Sequence, residues 1–117
     1  MGVTEVDATV RGPDGREAHL RFLVDSGATY SLLPFDTWQQ LGLRPTRRVP
    51  TVLADGTVIE RDVSECLFVL AEGQAHSPVF LGEPGDQALL GVVTLETLGL
   101  VLNPFTRKLY PMRMPLA

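Results

Sequence analysis

The residues with the clearest chemical potential are Asp25, Ser26, Gly27 and Ala28, which directly follow the apolar residues 22–24. A carboxylate at the end of a buried strand costs desolvation free energy unless it is paired or used. The Ser26 hydroxyl can hold such a loop by hydrogen bonds, and Gly27 lets the backbone turn tightly and approach another group. An Asp-Ser-Gly turn between two strands is also a common structural feature. The tripeptide alone therefore does not separate a catalytic carboxylate from an ordinary turn.

Hydrolysis of a peptide bond by carboxylates needs two acidic groups close together. They share one proton, because like charges at that range cannot both ionise, and one group acts as base on water while the other acts as acid on the carbonyl oxygen. The sequence holds no second Asp that is followed by Ser or Thr and then Gly, since Asp14 and Asp55 directly precede Gly and Asp86 precedes Gln. A catalytic Asp25 would therefore need its twin from a second copy of the chain, related by a two-fold axis. Such a pair titrates as a unit, and we expect a mildly acidic optimum.

The elements around Asp25 are expected to be short strands and turns. Residues 3–10 and 18–24 predict a hairpin around a Pro-Asp-Gly turn, and Asp-Gly between two β-rich runs is a strong signal for a second hairpin. The remaining predicted elements are strands at 30–33, 66–70, 79–81, 100–104 and 108–112, and an apolar interior run at 88–93. The second hairpin joins strands at 49–53 and 57–63 through Ala54, Asp55 and Gly56 at its tip.

Two short helices complete the predicted elements. Residues 34–42 have Pro34 suited to a helix start and Gly42 to its end, and Trp38 falls on the apolar face, which favours a core position. Residues 94–98 predict a second helix with Thr94 as N-cap and Gly99 as stop. Because both helices are short, the fold class is mainly β.

The 117 residues predict a single domain over 1–117, and the short strands with frequent turns predict a small closed β-barrel or a sandwich, with one or two short helices. A hydrophobic content of 44% indicates a globular chain, and a net charge of −4 disfavours nucleic acid as a partner. The neighbouring Arg47 and Arg48 are interpreted as part of a solvated loop. Cys66 stands alone, so no intrachain disulfide is possible, and we interpret it as a small buried apolar residue.

The order of the motifs resembles the retropepsin-like aspartic proteases, the single-domain clan that includes the retroviral proteases. Their first mark is a hydrophobic strand followed by Asp-Thr/Ser-Gly-Ala and an extended segment containing Ser, as in residues 22–34 here. Their second mark, two hydrophobic residues and Gly ahead of a short helix, is similar to Leu89, Leu90 and Gly91. A hairpin that closes over the substrate lies between the two marks, as residues 51–60 do here. The resemblance covers roughly residues 20–103.

The resemblance implies an acid-protease-type barrel that contributes one half-site per chain, and an aspartic endopeptidase that is active as a homodimer on an extended peptide or protein substrate. Asp25 would be catalytic, and Ser26, Gly27 and Ala28 would support its loop. Ser26 would bond across the dimer axis, and the main chain of Gly27 would lie near the substrate. The hairpin tip (Ala54, Asp55 and Gly56) would cover the peptide as a flap, and the second mark (Leu89, Leu90 and Gly91) would support the Asp loop from beneath. Pro111 and Pro115 remove hydrogen-bond donors near the end of the chain, so a dimer here would be held differently from the retroviral ones, or more weakly.

Two other interpretations stay open. The chain could be a non-catalytic dimeric module that binds peptides or acts as a scaffold with the same fold, because fold alone does not establish activity. It could also be a β-barrel in which Asp-Ser-Gly is only a turn. No metal and no cofactor are expected, since His19, His76 and Cys66 lack the spacing of metal ligands. No signal peptide or membrane-spanning run is recognised, which leads us to expect a cytoplasmic protein with no membrane partner.

Overall fold

The computed structural model describes residues 3–116. Within them the chain forms nine strands and two helices, in the order β1 (Glu5–Arg11), β2 (Glu17–Val24), β3 (Ser31–Leu33), α1 (Phe35–Gln40), β4 (Arg47–Val52), β5 (Val58–Leu70), β6 (Gly73–Leu81), β7 (Leu89–Leu90), α2 (Val92–Thr97), β8 (Leu100–Asn103) and β9 (Lys108–Pro111). The predicted mainly β class is confirmed. The single domain predicted over 1–117 includes Met1, Gly2 and Ala117, which lie outside the described residues, and it stays a prediction.

Seven strands form one sheet in the order β1-β2-β7-β3-β6-β5-β4, and β1 also pairs with β5. That extra pairing returns the sheet to its first strand, so six strands form a continuous ring while β4 extends from β5. Two of the pairings, β2 with β7 and β3 with β6, are parallel. The carboxyl ends of β2 and β7 therefore lie side by side, and the residues that follow them are neighbours in space.

Both predicted hairpins are present. β1 and β2 pair antiparallel along their length, and so do β4 and β5 up to the turn at residues 53–57. Gly56 has φ +87°, which suits glycine, and its N–H donates to the Leu53 carbonyl at 2.9 Å. The Asp55 carboxylate accepts a 2.9 Å bond from the Thr57 N–H. The Asp-Gly pair thus forms the tight turn that its sequence predicts.

Two predictions about the middle of the chain are wrong. The separate strands predicted at 57–63 and 66–70 are one strand of 13 residues, β5. In the sequence, the polar residues Ser64 and Glu65 look like a break between two strands. In the structure Ser64 is buried and pairs with Val79, so the strand continues from the hairpin into the rest of the sheet. Arg47 and Arg48 belong to β4 and not to a loop.

The two helices begin near the predicted positions, but the N-cap of α2 is not Thr94. Gly91 occupies the N-cap position, and Thr94 lies inside the helix with its side chain fully buried. The hydroxyl of Thr94 bonds inward to other side chains, which removes it from the capping role. Gly42 and Gly99, with φ +71° in both cases, follow the ends of α1 and α2 as predicted.

The core lies between the strands of the ring. Its largest fully buried side chains are Phe22, Phe68, Leu33, Leu41 and Leu90, and the rings of Phe22 and Phe68 are 5.6 Å apart. Burying a side chain of this size contributes about 1.5–3 kcal/mol. Phe22 and Leu90 belong to β2 and β7, so the two strands that carry the candidate site are anchored in the core.

The last strands form a separate two-stranded sheet of β8 and β9, which ends at Pro111. The Met112 N–H continues the pairing by donating to the Gly99 carbonyl at 2.7 Å. Within residues 3–116, neither helix has the length and apolar character that crossing a bilayer requires.

Candidate active site

The Asp25 loop is fixed by backbone hydrogen bonds on both sides. The Asp25 N–H donates to the Leu90 carbonyl at 2.9 Å, and the Ala28 N–H donates to the Asp25 carbonyl at 3.1 Å. The Asp25 Oδ1 atom accepts a 2.9 Å bond from the Gly27 N–H. Asp25 is half-buried, and within residues 3–116 its Oδ2 atom receives no hydrogen bond. The loop therefore holds one carboxylate oxygen and leaves the other available.

The other Asp residues considered in the sequence have local partners of their own. Asp14 accepts from Arg16 at 2.7 Å, and this hydrogen bond holds the pKa of the Asp14 carboxyl below its usual value. The Thr57 hydrogen bond likewise lowers the pKa of Asp55, and Asp86 lies 3.0 Å from Arg61. Each of these carboxylates serves a turn or an ion pair and not the Asp25 loop.

The predicted support residues lie directly against the Asp25 loop. β7 places Leu89 and Leu90 opposite Leu23 and Val24 of β2. Gly91 follows at the point of closest approach, since a Cβ atom there would lie 2.6 Å from the Tyr30 carbonyl carbon. The first residue of α2, Val92, donates its N–H to the Ala28 carbonyl at 2.8 Å. The structure thus brings together the two motifs that are more than 60 residues apart in the sequence.

A buried chain of hydroxyl groups connects these same elements, and sequence reasoning missed it. The Gly91 N–H donates to Ser31 Oγ at 2.9 Å, Ser31 Oγ lies 2.5 Å from Thr94 Oγ1, and Thr94 Oγ1 lies 2.8 Å from Ser77 Oγ. Ser77 donates to the Pro78 carbonyl at 3.2 Å. Ser77 donates its one proton to Pro78, so its oxygen accepts from Thr94, and Thr94 in turn accepts from Ser31. The signal available in the sequence was the position of Thr94, three residues after Gly91.

A cleft of about 590 Å³ lies between the Asp25 loop and the β4–β5 hairpin. One wall comes from Gly27, Ala28, Thr29, Tyr30 and Leu32, and the other from residues 49–52 of β4, with Phe80 and Leu89 also contributing. Most of these side chains are apolar. Thr51 is an exception, because its Oγ1 atom is shielded from solvent and has no hydrogen-bond partner within residues 3–116.

The predicted hairpin tip does not line this cleft. Ala54, Asp55 and Gly56 lie at an exposed turn beyond it, and the apolar Val52 and Val58 next to the turn are 68% and 62% exposed. Ser26, which was predicted to support the loop, is also exposed. The structure therefore groups Asp25 with Leu89, Leu90 and Gly91, and leaves Ser26 and the tip residues at the surface.

The post-loop residue Tyr30 makes contacts that the sequence did not indicate. Its ring lies 5.4 Å from that of Phe80, and its hydroxyl accepts a 2.7 Å bond from Arg47 of β4. The Arg47 guanidinium also lies 5.5 Å from the centre of the Tyr30 ring. Tyr30 thus connects the loop after Asp25 to the base of the hairpin.

The remaining candidate groups lie apart from the cleft. Cys66 is buried in β5, and burial raises the pKa of its thiol to about 12, which keeps it protonated and unreactive. His76 lies 3.9 Å from Glu65 at the surface. Among residues 3–116, no three His, Cys, Asp or Glu side chains are grouped as ligands for a metal ion. The expectation of no metal or cofactor stays a prediction.

Comparisons with known proteins identify the family and the fold of the chain. A sequence family described as aspartyl protease matches residues 6–93, well over half of the chain. The chain therefore belongs to the aspartyl protease family, and its resemblance to the retropepsin-like members is confirmed. The solution structure of the simian foamy virus (mac) protease shares the fold, with a TM-score of 0.58 and 22% identity over 79% of this chain and 91% of that chain. Among curated protein sequences, none matches this chain.

Proposed function

We propose that the protein is an aspartic endopeptidase that acts as a homodimer, with one Asp25 from each chain. The observation that carries the proposal is the state of Asp25: a half-buried carboxylate on a loop fixed by Leu90 and Gly27, beside an apolar cleft, with Oδ2 available. No other Asp of the chain stands in the same sequence motif. A second copy of the chain is the source of the second carboxylate, and a two-fold axis places the two loops in equivalent positions.

In the proposed reaction the two Asp25 carboxyls hold one proton between them. The ionised carboxylate takes a proton from a water molecule as the water oxygen attacks the peptide carbonyl carbon, and the protonated carboxyl gives its proton to the carbonyl oxygen. In the second step the tetrahedral intermediate loses the C–N bond. The leaving nitrogen receives a proton from one carboxyl, and a hydroxyl of the intermediate returns a proton to the other. The pair ends as it began, with one shared proton.

The remaining predicted roles follow from this arrangement. The exposed Ser26 is free to bond across the two-fold axis, and Gly27 presents main chain to a peptide in the cleft. The β4–β5 hairpin acts as the flap, whose tip (Ala54, Asp55 and Gly56) folds over the bound peptide and excludes water. The Thr51 hydroxyl has no hydrogen-bond partner among residues 3–116. It supports peptide binding, because a buried polar atom normally has a hydrogen-bond partner and an extended peptide offers one.

The test is the Asp25→Asn variant in a digest of a mixed peptide library at mildly acidic and at neutral pH. We expect a loss of cleavage of about 10²–10⁴-fold or more, which is the contribution of a positioned proton-transfer group. Asp36→Asn is the matched control, because Asp36 is an exposed carboxylate in the first turn of α1. Full activity of Asp25→Asn would refute the assignment. Binding of peptides without any cleavage by the wild type would favour the non-catalytic module.

Subunit mixing tests the dimer separately. If both carboxylates are needed, mixing wild-type and Asp25→Asn chains at a constant total concentration lowers activity with the square of the wild-type fraction, once the subunits have exchanged. A monomeric enzyme would lose activity only in proportion to the dilution. Sedimentation of the same mixtures gives the mass of the species present.

A further inference from the structure

Arg47 lies on β4 beside the cleft, where its guanidinium contacts the lining residue Tyr30, and within residues 3–116 it forms no ion pair with a carboxylate. Residues 49–52 of β4 line the cleft, and Val49 and Thr51 are the two of them that are half-buried. Side chains alternate along a strand, so Arg47 shares a face with Val49 and Thr51. Arg48 points the other way and lies 3.3 Å from Asp62 and 3.9 Å from Glu60. The two neighbouring arginines therefore have opposite surroundings.

The contact of Arg47 is with a neutral group. Its Nη2 atom donates to the Tyr30 hydroxyl at 2.7 Å, and within residues 3–116 no carboxylate lies within ion-pair distance of it. Among residues 3–116, Arg44, Arg107 and Arg113 also form no ion pair with a carboxylate. The other five arginines of this acidic chain lie against carboxylates: Arg11, Arg16, Arg21, Arg48 and Arg61. The cation is thus held in place by Tyr30 and keeps its charge for a ligand.

The two polar side chains at this end of the cleft, Arg47 and Tyr30, both have hydrogen-bond donors available. A guanidinium has five N–H donors in a fixed fork, and Tyr30 uses one of them. Since the Tyr30 oxygen accepts that bond, its own O–H is free to donate. The adjoining wall of Leu32 and Phe80 is apolar. The ligand that fits is an apolar side chain in the cleft followed by a carboxylate at the Arg47 end, because carboxylates match the guanidinium fork.

We propose that Arg47 and Tyr30 form a subsite that selects an Asp or Glu side chain of the substrate, next to the apolar residues that fill the cleft. This inference rests on the proposed protease function and names its substrate class: peptides with an acidic residue flanking an apolar cleavage site. Tyr30 acts as the positioning residue, since its hydroxyl and ring fix the guanidinium.

The expected preference is modest because Arg47 is exposed to solvent. Ion pairs in such positions change an equilibrium by up to about fivefold. The preference should shrink as salt is added, because salt screens exposed charges. It should act mainly on KM, since the carboxylate is bound equally before and during the reaction.

The experiment uses pairs of peptides that differ only by Glu or Gln, placed at successive positions on each side of a bond that the wild type cleaves. We expect one position at which Glu raises kcat/KM about fivefold over Gln. Arg47→Gln should bring that ratio to about one. Arg47→Glu should bring the ratio of Glu to Gln below one, and a peptide with Lys at the same position should then be cleaved better than the Gln peptide. Tyr30→Phe should lower the ratio without abolishing it. Because each ratio is taken within one variant, a general loss of activity does not affect it.

Arg48→Gln is the matched control, since it removes the same charge from the same strand on the opposite face. It should keep the wild-type ratio. A wild type with no acidic preference at any position would overturn the subsite, and so would an equal loss of the ratio in Arg48→Gln, which would show a general charge effect.

Binding separates this inference from the proposed function. Anisotropy of labelled Glu and Gln peptides with Asp25→Asn chains measures the same ratio without turnover. If Asp25→Asn still cleaves, the proposed function fails whatever the ratio is. If Asp25→Asn is inactive and binds both peptides equally, only the subsite fails.

Discussion

Replacing Thr94 by Val tests whether the buried hydroxyl chain stabilises the Asp25 loop. The change keeps the shape of the side chain and removes Oγ1, which lies 2.5 Å from Ser31 Oγ and 2.8 Å from Ser77 Oγ. Thr and Val have similar helix propensities, so α2 itself is little affected. The loss is therefore confined to the hydrogen bonds.

The expected cost follows from the groups left behind. Ser31 is fully buried and loses the acceptor for its proton, which costs about 1–3 kcal/mol for an unsatisfied donor. Ser77 loses the bond that it accepts from Thr94 but still donates to the Pro78 carbonyl, and a net bond of this kind contributes about 1 kcal/mol. We expect the free energy of unfolding to fall by about 2–4 kcal/mol, from the sum of these two effects.

The assay is urea unfolding at a single protein concentration, because the stability of an associating protein depends on concentration. Thr97→Val is the matched control. Thr97 lies three residues later in α2 and is exposed, and among residues 3–116 its hydroxyl bonds only to the Val93 carbonyl. Its change should stay within about 0.5 kcal/mol, as for other surface substitutions. If Thr94→Val costs no more than Thr97→Val, the hydroxyl chain does not stabilise the loop. Under conditions where the variant is folded, we also expect a lower kcat, because Gly91 and Ser31 flank the Asp25 loop.

Two further predictions concern Gly91 and Cys66. Gly91→Ala should lower the free energy of unfolding by about 1–3 kcal/mol or more, because its Cβ would overpack the Tyr30 backbone. Gly85 is the control, because it has φ +91° and open space around it, so Gly85→Ala should cost only the strain of a left-handed backbone, about 1–2 kcal/mol. If Gly91→Ala costs no more than Gly85→Ala, the close packing of Gly91 on the Tyr30 backbone does not contribute to stability. The Cys66 thiol should resist alkylation until the chain unfolds, and rapid labelling of the native protein would contradict its burial. Since the folded-state pKa is raised from 9.0 to about 12, Cys66 stabilises the fold fully below pH 9.0 and loses that contribution as pH rises toward 12, so Cys66→Ala should flatten this decline.

The parts of the fold that the sequence predicted are those governed by local interactions. The Asp55-Gly56 turn forms because glycine adopts a positive φ and the Asp55 carboxylate bonds two residues ahead. The ends of α1 follow Pro34 and Gly42 for similarly local reasons. The position of Asp25 directly after a strand was predicted from equally local signals, and its catalytic role stays a prediction.

The parts that could not be predicted depend on contacts distant in the sequence. Ser64 looks like a break in a strand, yet pairing with Val79 of β6 carries β5 through it. Thr94 looks like an N-cap, yet its hydroxyl finds Ser31 and Ser77, which the fold brings to it from two other strands. A local preference worth about 1 kcal/mol is easily outweighed by two buried hydrogen bonds. Arg47 and Arg48 show the same limit, since only the fold decides which of two identical side chains meets a carboxylate.

The organisation of the Asp25 loop bears on what the proposed dimer has to supply. Within one chain, Asp25 is already held by Leu90 and Gly27, and Gly91 admits the close approach of the Tyr30 backbone. Association then needs to bring two formed loops together and does not also need to order them, which lowers the entropy cost of association. A weak interface is then sufficient for the proposed dimer. This matters because Pro111 ends the last strand and limits the hydrogen bonds that the end of the chain can add to an interface. The same argument explains why changes at Thr94 and Gly91 should affect stability and activity together: they act on the half-site that each chain forms alone.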